Sequence, residues 1–252
     1  MGCGRSNRAA GGGLDLLPED LRFAADAFAA QYLALRRQEG WILPNGQEDP
    51  NGGMQRLWRG RLRSVSSAAA ILAREWPAGS RPVVADIGSG GGWAARLIPF
   101  ADVLAFDLLD VSPNSASMTI RADMGKLPVR NATLDAVLYA ASLHYSPIDA
   151  AISEAARVLK PRGLMVAVDS PIYKDAESQA RAASRTAAYY SGAGHPALND
   201  HYHPIDAQEL RAALVDSGFE ISQLGFHGSG AGRWHRLVRG APLSIVVARR
   251  YA

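Results

Sequence analysis

The stretch VVADIGSGGGWAARLIP, residues 83–99, opens on an apolar run, breaks into five small residues and resumes with apolar residues at helical spacing. Gly88, Gly90, Gly91 and Gly92 put almost no side chain in the way, so another group can approach the backbone closely. Strand, glycine turn and helix, in that order, make the phosphate- or cofactor-binding loop of open α/β sheets. Ligands there sit beyond the carboxyl ends of the strands, and free N–H groups at the helix start supply donors. A merely tight strand-to-helix turn is the plainer reading, and four glycines directly after Asp86 argue against it.

A dinucleotide fingerprint needs glycines at relative positions one, three and six. Counted from Gly88, the last falls on Trp93 and the frame fails; counted from Gly90, it reads Gly90, Gly92 and Ala95 and passes only deeper in the helix. That second frame keeps a nicotinamide-dependent oxidoreductase as an alternative. Asp107, closing VLAFD, would take a ribose in either case, because a carboxylate offers two acceptor oxygens to a vicinal diol.

Outward from the loop, β-branched runs (PVVADIG, DVLAFD, MTIRAD, LDAVLYAAS, LMVAVDS) alternate with helical ones (WAARLIPF, IDAAISEAARVL). This alternation predicts a parallel sheet covered by helices on both faces. A helix over 204–218 then leads to FEISQLGF, an irregular basic stretch and LSIVVAR, two strands that should pair antiparallel because no crossover helix separates them. Ahead of the loop, residues 20–38 and 57–76 read as helices joined by a turn-rich segment. The expected division is a disordered leader over 1–19, a helical extension over 20–80 and a cofactor-binding domain over 81–252. The expected fold class is α/β, a Rossmann-like, doubly wound, mostly parallel seven-stranded sheet with an antiparallel last strand and an N-terminal helical cap.

A chain of 252 residues suits one main domain, and 48% hydrophobic with 20% charged residues is a globular composition. No apolar stretch approaches the roughly 20 residues of a membrane helix. Lys and Arg number 27 against 24 Asp and Glu, an excess of +3 without a basic block, which is a weak sign of nucleic acid. The lone Cys3 excludes an internal disulfide and a multi-cysteine metal site, so a cytoplasmic home is expected. The opening MGCGRS formally matches a myristoylation pattern, but that pattern is short and NRAAGGG behind it reads as a leader.

Taken together, DIGSGGG, FDLLD, ADMGKLPVRNATLDAVLYAASLHYS and EAARVLKPRGLMVAVDSP resemble the class I S-adenosylmethionine-dependent methyltransferases, in the group that modifies small molecules. The resemblance covers about residues 82–172 and implies S-adenosyl-L-methionine as cofactor. It places Asp86, Gly88, Ser89 and Gly90 along the methionine and ribose, and Asp107 on the ribose. Asp123 would accept the adenine amino group, Met124 would donate from its backbone and pack on the ring, and Leu108 and Ala140 complete the cofactor set. Each of these acids also has an ordinary reading as a cap or loop residue. One departure is the segment LLDVSPNSASMTIRA, too rich in Pro and Ser for the helix most relatives place there. A similarly trimmed edge occurs in ribosomal RNA methyltransferases of nucleolar type, which keeps RNA as an alternative acceptor to a small molecule.

Methyl transfer from a sulfonium is an in-line displacement, for which the protein chiefly aligns the reactants and excludes water. Loops after the fourth and fifth strands should hold the acceptor. His144 and Tyr145 are the candidate catalytic pair, with His144 a proton acceptor or an ordinary loop histidine; Asp169, Ser170 and Tyr173 would form the acceptor wall. The Asn-Pro-Pro-Tyr motif of amino-group methyltransferases is absent. In HPALNDHYHPID, His201 and Tyr202 are candidate substrate contacts on a lid, and His201 and His203 would share one side of an extended strand without enough ligands for a metal. Arg59, Arg61 and Arg63 offer a guanidinium for the methionine carboxylate or simply a solvated face. GAGRWHRLVRG, residues 230–240, is the best basic-aromatic patch in the chain and reads as a solvated insertion. A binding protein that keeps the pocket without turnover is the remaining alternative.

Overall fold

In the computed structural model, residues 13–42, 55–110, 118–225 and 244–251 are described. The leader motif at Cys3, the basic stretch 230–240 and the segment 111–117 lie outside the described residues. The strands are β1 (Leu14–Asp15), β2 (Val83–Ile87), β3 (Asp102–Asp107), β4 (Met118–Arg121), β5 (Leu134–Ala140), β6 (Leu159–Val168), β9 (Phe219–Gly225) and β10 (Ile245–Arg250). They form one eight-stranded sheet in the order β1-β4-β3-β2-β5-β6-β10-β9. Strands β1 to β6 run parallel, and β10 pairs antiparallel with both β6 and β9. A separate two-stranded parallel piece joins β7 (Ile172–Tyr173) to β8 (Ile205–Asp206).

The period of two along each central strand sorts side chains between two cores. On β5 and β6, Val137, Tyr139, Met165 and Ala167 face a core shared with Ile152, Ala155, Leu210 and Leu214. These come from α3 (Ile148–Val158) and α5 (Ala207–Asp216). Ala136, Leu138, Leu164 and Val166 face the opposite core, with Val65, Ala68 and Leu72 of α2 (Gln55–Ala73). Burial on both faces is why these strands read as continuous apolar runs. Helix α2, from the expected helical extension, is thus one of the helices that cover the sheet.

The eighth strand is β1, which pairs Leu14 with Ile120 and Asp15 with Arg121. The expected disordered leader therefore ends in the sheet. Helix α1 (Glu19–Gln38) follows and stands over the carboxyl ends of the strands. The buried Arg121 fastens both: its Nε donates to the Leu108 carbonyl at 2.9 Å, and its guanidinium pairs with Asp26 of α1 and lies 3.7 Å from Asp15.

Two elements differ from expectation. After the glycines the chain makes one 3-10 stretch, Trp93–Leu97, instead of a full helix. Ile98 leaves it at φ −124° and ψ 54°, outside the helical region that the following Pro99 disfavours. Helix α4 (Ala176–Gly192) was not expected; it is rich in Ala, Ser and Arg, buries only Ala182 and Tyr190, and starts on the Asp175 carboxylate, which accepts from the Ser178 N–H at 2.8 Å. Among the described residues no helix is long and apolar enough to cross a membrane.

Replacing Arg121 with Met should cost about 2 kcal/mol, since the Asp15 carboxylate and the Leu108 carbonyl lose a buried partner. Urea unfolding and limited proteolysis check this, with cleavage within residues 13–38 expected to quicken; an unaltered digestion pattern would show that α1 holds without the arginine.

Candidate active site

Three neighbouring strands leave the sheet through left-handed residues: β2 through Gly88 (φ 69°), β5 through Ala141 (φ 58°) and β6 through Asp169 (φ 61°). For the two residues with a Cβ this conformation stores strain, a pattern that collects at functional sites. Serines stitch the exits together. The Ser142 hydroxyl donates to the Ile87 carbonyl, the Ser170 hydroxyl accepts from the Leu143 N–H at 3.1 Å, and the Ser244 hydroxyl donates to the Ser170 carbonyl. Ser64 of α2 donates to the Asp169 carboxylate at 2.9 Å.

What approaches Gly88 most closely is the protein itself. A Cβ added there would stand 2.4 Å from the Ser142 Cβ. Gly90 and Gly92 also take positive φ (54° and 71°), and the loop is tied to β3, with the Gly88 and Ser89 N–H groups donating to the Phe106 carbonyl at 2.8 and 3.0 Å. The Asp107 carboxylate accepts from the Gly90 N–H at 2.7 Å and the Leu109 N–H at 2.9 Å. Enclosure pushes the Asp107 carboxyl above its ordinary value, while the N–H groups of Leu109, Gly90 and Leu108 oppose the rise. Its remaining lone pairs can still take a diol.

These exits floor a cleft that encloses about 690 Å³ when the open solvent at its mouth is counted. Of the expected cofactor residues it brings together Gly88, Ser89, Gly90, Asp107, Leu108, Met124 and Ala140. Asp86 is fully buried beneath the loop, and Asp123 turns away to accept from the Gly125 N–H at 2.6 Å, so neither lines the cleft. Tyr145, Phe28, Tyr32, Trp93 and Arg61 also line it. Phe28, Tyr32 and Trp93 went unnoticed in the sequence, where they look like ordinary apolar helix positions.

Tyr145 reaches the cleft, whereas His144 sits one layer behind it, with ring centroids 4.3 Å apart. Burial drives the His144 imidazole down from the ordinary 6.5 to about 3, and the charges of Arg61, Arg36 and His203 add to the fall. It is therefore neutral near pH 7, and its buried Nδ1 has no hydrogen-bond partner among the described residues. The expected substrate contacts also stand behind the wall. Tyr202 packs edge-on against His144 at 5.2 Å and shares a hydrogen bond with Tyr173, and His201 lies against Phe28 at 4.5 Å. His201 ends a 3-10 turn (Pro196–His201) instead of sharing a strand face with His203, whose N–H donates to the His144 carbonyl at 2.8 Å. Among the described residues no group of three or more His, Cys, Asp and Glu could hold a metal ion.

Two outcomes follow from this geometry. Gly88→Ala should destabilise the protein by at least about 2 kcal/mol, from the left-handed penalty and the Ser142 clash, and unchanged urea unfolding would refute the contact. As pH falls, the unfolded chain protonates His144 near 6.5 while the folded chain resists until about 3, so stability is lost from pH 6.5 downward. At pH 5 the loss is roughly 2 kcal/mol, and His144→Gln should remove it. A variant with the same pH 7 to pH 5 difference as the unmodified protein would place His144 in a wetter setting.

Residues 85–167 match the model of a methyltransferase domain family. No curated protein matches the chain. Among solved structures, a Galdieria sulphuraria protein assigned as a sarcosine dimethylglycine methyltransferase shares 14% identity at a TM-score of 0.59, over 90% of this chain and 98% of that one. Geranyl diphosphate C-methyltransferase from Streptomyces coelicolor, solved with S-adenosyl-L-homocysteine, shares 15% at 0.56, over 73% and 76%. A Bacillus halodurans protein assigned as a methyltransferase shares 19% at 0.54, over 74% and 100%. At these identities the likeness to each is one of fold, and the domain match supplies the chemistry, with S-adenosylmethionine as methyl donor in place of a nicotinamide. The glycine loop and the Asp107 carboxylate thus lie within the part of the chain, residues 85–167, that matches a methyltransferase domain.

Proposed function

We propose that the chain transfers the methyl group of S-adenosylmethionine to a small molecule seated between Tyr145 and helix α1. The observation that carries this reading is enclosure: Phe28 and Tyr32 of α1 close over the same cleft whose floor bears the glycine loop and Asp107. A roofed cleft suits a small acceptor better than a polynucleotide, which needs an open track for its backbone.

The donor brings a methyl group already activated by its cationic sulfur. In this reading Asp107 takes the ribose hydroxyls, the backbone of residues 88 to 90 runs along the methionine, and Leu108, Met124 and Ala140 pack against the nucleoside. Asp123, outside the cleft lining, would have to swing its free Oδ2 inward to reach the adenine amino group, since Oδ1 is engaged by the Gly125 N–H. Asp86 acts from below by holding the loop. Tyr145 presents its hydroxyl to the acceptor, and its partner His144 supports it as a neutral ring. Tyr173, His201 and Tyr202 set the position of that wall. Since the leaving group needs no proton, alignment and exclusion of water carry most of the catalysis.

Calorimetry with S-adenosylhomocysteine tests the cofactor half: Asp107→Ala should weaken binding roughly tenfold to a hundredfold, the worth of charge-assisted hydrogen bonds. Equal binding by both proteins would remove Asp107 from the site. For the acceptor half, transfer of labelled methyl to a metabolite extract should change little between about 50 and 200 mM salt, whereas an RNA acceptor would lose affinity steeply. Label that enters RNA, with that salt response, would overturn the small-molecule reading.

A further inference from the structure

The acceptor end of the cleft is rich in donors and poor in acceptors. Among the described residues that line it, Asp107 is the sole acid, and it stands on the β3 side with its oxygens engaged by Gly90 and Leu109. Arg61 of α2 lines the same cleft. Its guanidinium lies 4.6 Å from the Trp41 ring centre and 5.6 Å from that of Trp58, and no carboxylate pairs with it among the described residues. Stacking between indoles holds a guanidinium in place without neutralising it. The Nε1 of each of these tryptophans is likewise buried with no partner among the described residues.

A second arginine sharpens the imbalance. Arg36 of α1 also lies over the Trp41 ring, at 4.4 Å, but it is neutralised by Glu39 at 2.5 Å. Its Nη2 donates to the Tyr145 hydroxyl oxygen at 3.2 Å. With that lone pair occupied, the phenol has its own proton to give. Among the described residues two arginines therefore meet one carboxylate, which leaves a positive charge on the cleft wall beside a hydroxyl donor. The depressed proton affinity of His144 agrees, since Arg61 and Arg36 both contribute to it.

We propose that the methyl acceptor is itself an organic anion, whose carboxylate or phosphate oxygens are held by the Arg61 guanidinium and the Tyr145 hydroxyl. A planar fork of donors matches such a group in two parallel hydrogen bonds, and a desolvated setting strengthens them. The assignment rests on reading the cleft as a methyl-transfer site. Arg36, held by Glu39 and stacked on Tyr32 at 4.7 Å, is a positioning residue for Tyr145.

The cofactor's own methionine carboxylate is the other anion of this chemistry, so the test separates the two. A metabolite extract is divided beforehand on an anion-exchange resin, and each fraction is offered with methyl-labelled cofactor to the unmodified protein, Arg61→Gln and Arg61→Lys. S-adenosylhomocysteine affinity is measured on all three. Transfer should depend on the resin-retained fraction and fall at least about tenfold in Arg61→Gln, with part of it restored in Arg61→Lys. S-adenosylhomocysteine affinity should change less than about threefold, which also reports that the variants fold. Transfer to the flow-through fraction overturns the proposal. So does a loss of S-adenosylhomocysteine affinity that matches the loss of transfer, which would give Arg61 to the methionine carboxylate. An unmodified protein that binds no S-adenosylhomocysteine, or labels neither fraction, removes the methyl-transfer reading and this proposal with it.

Discussion

The backbone at Gly88 and the Ser142 side chain approach so closely that no further carbon fits between them. That contact locks the exit of β2 onto the exit of β5, and the shared serine hydroxyls carry the lock on to β6. Fixing three exits at once gives a rigid floor at one end of the sheet, where the strand-end N–H and carbonyl groups are satisfied by neighbours instead of water. The cleft depends on that floor. Asp107 can aim its carboxylate only because the glycine loop, pinned to β3, meets it from above.

Above the floor, the roof is held by charge. Arg121 joins β1, α1 and the Leu108 carbonyl, while Tyr189 of α4 donates to Glu39, which holds Arg36, which in turn touches Tyr145. Residues of α4 and the end of α1 thereby fix one phenol. Contacts made by buried arginines such as Arg36 and Arg121 add little net stability when intact but penalise any arrangement that separates them, so they favour a single geometry. A methyl transfer that works mainly by alignment has use for that property.

Much of this was legible beforehand because the local signals agreed with the final packing. The runs at 83–87, 102–107 and 134–140 are β-branched, apolar and bounded by turn residues, and they became strands. Asp107 could be expected at the cleft from its place at a strand end, and it lines it. Helix α4 escaped because alanines and serines give no apolar stripe, and its order comes from Tyr190 packing against distant residues. The short turn after the glycines escaped because Pro99 acts on Ile98, a local veto hidden inside a helical pattern. The wall after β5 was half legible: its residue types drew notice to that loop, but only tertiary structure showed Tyr145 at the cleft and His144 behind it. The Arg36 contact, 109 positions from its partner, left no trace in the spacing.

Strand β1 has a consequence beyond the site. A parallel sheet that stops at β4 would offer a line of unsatisfied N–H and carbonyl groups to any neighbouring chain. Leu14 and Asp15 occupy that line, and the Leu16 N–H adds a bond to the Arg121 carbonyl at 3.0 Å. The segment that begins as the approach to the roof thus also covers the outer edge of β4.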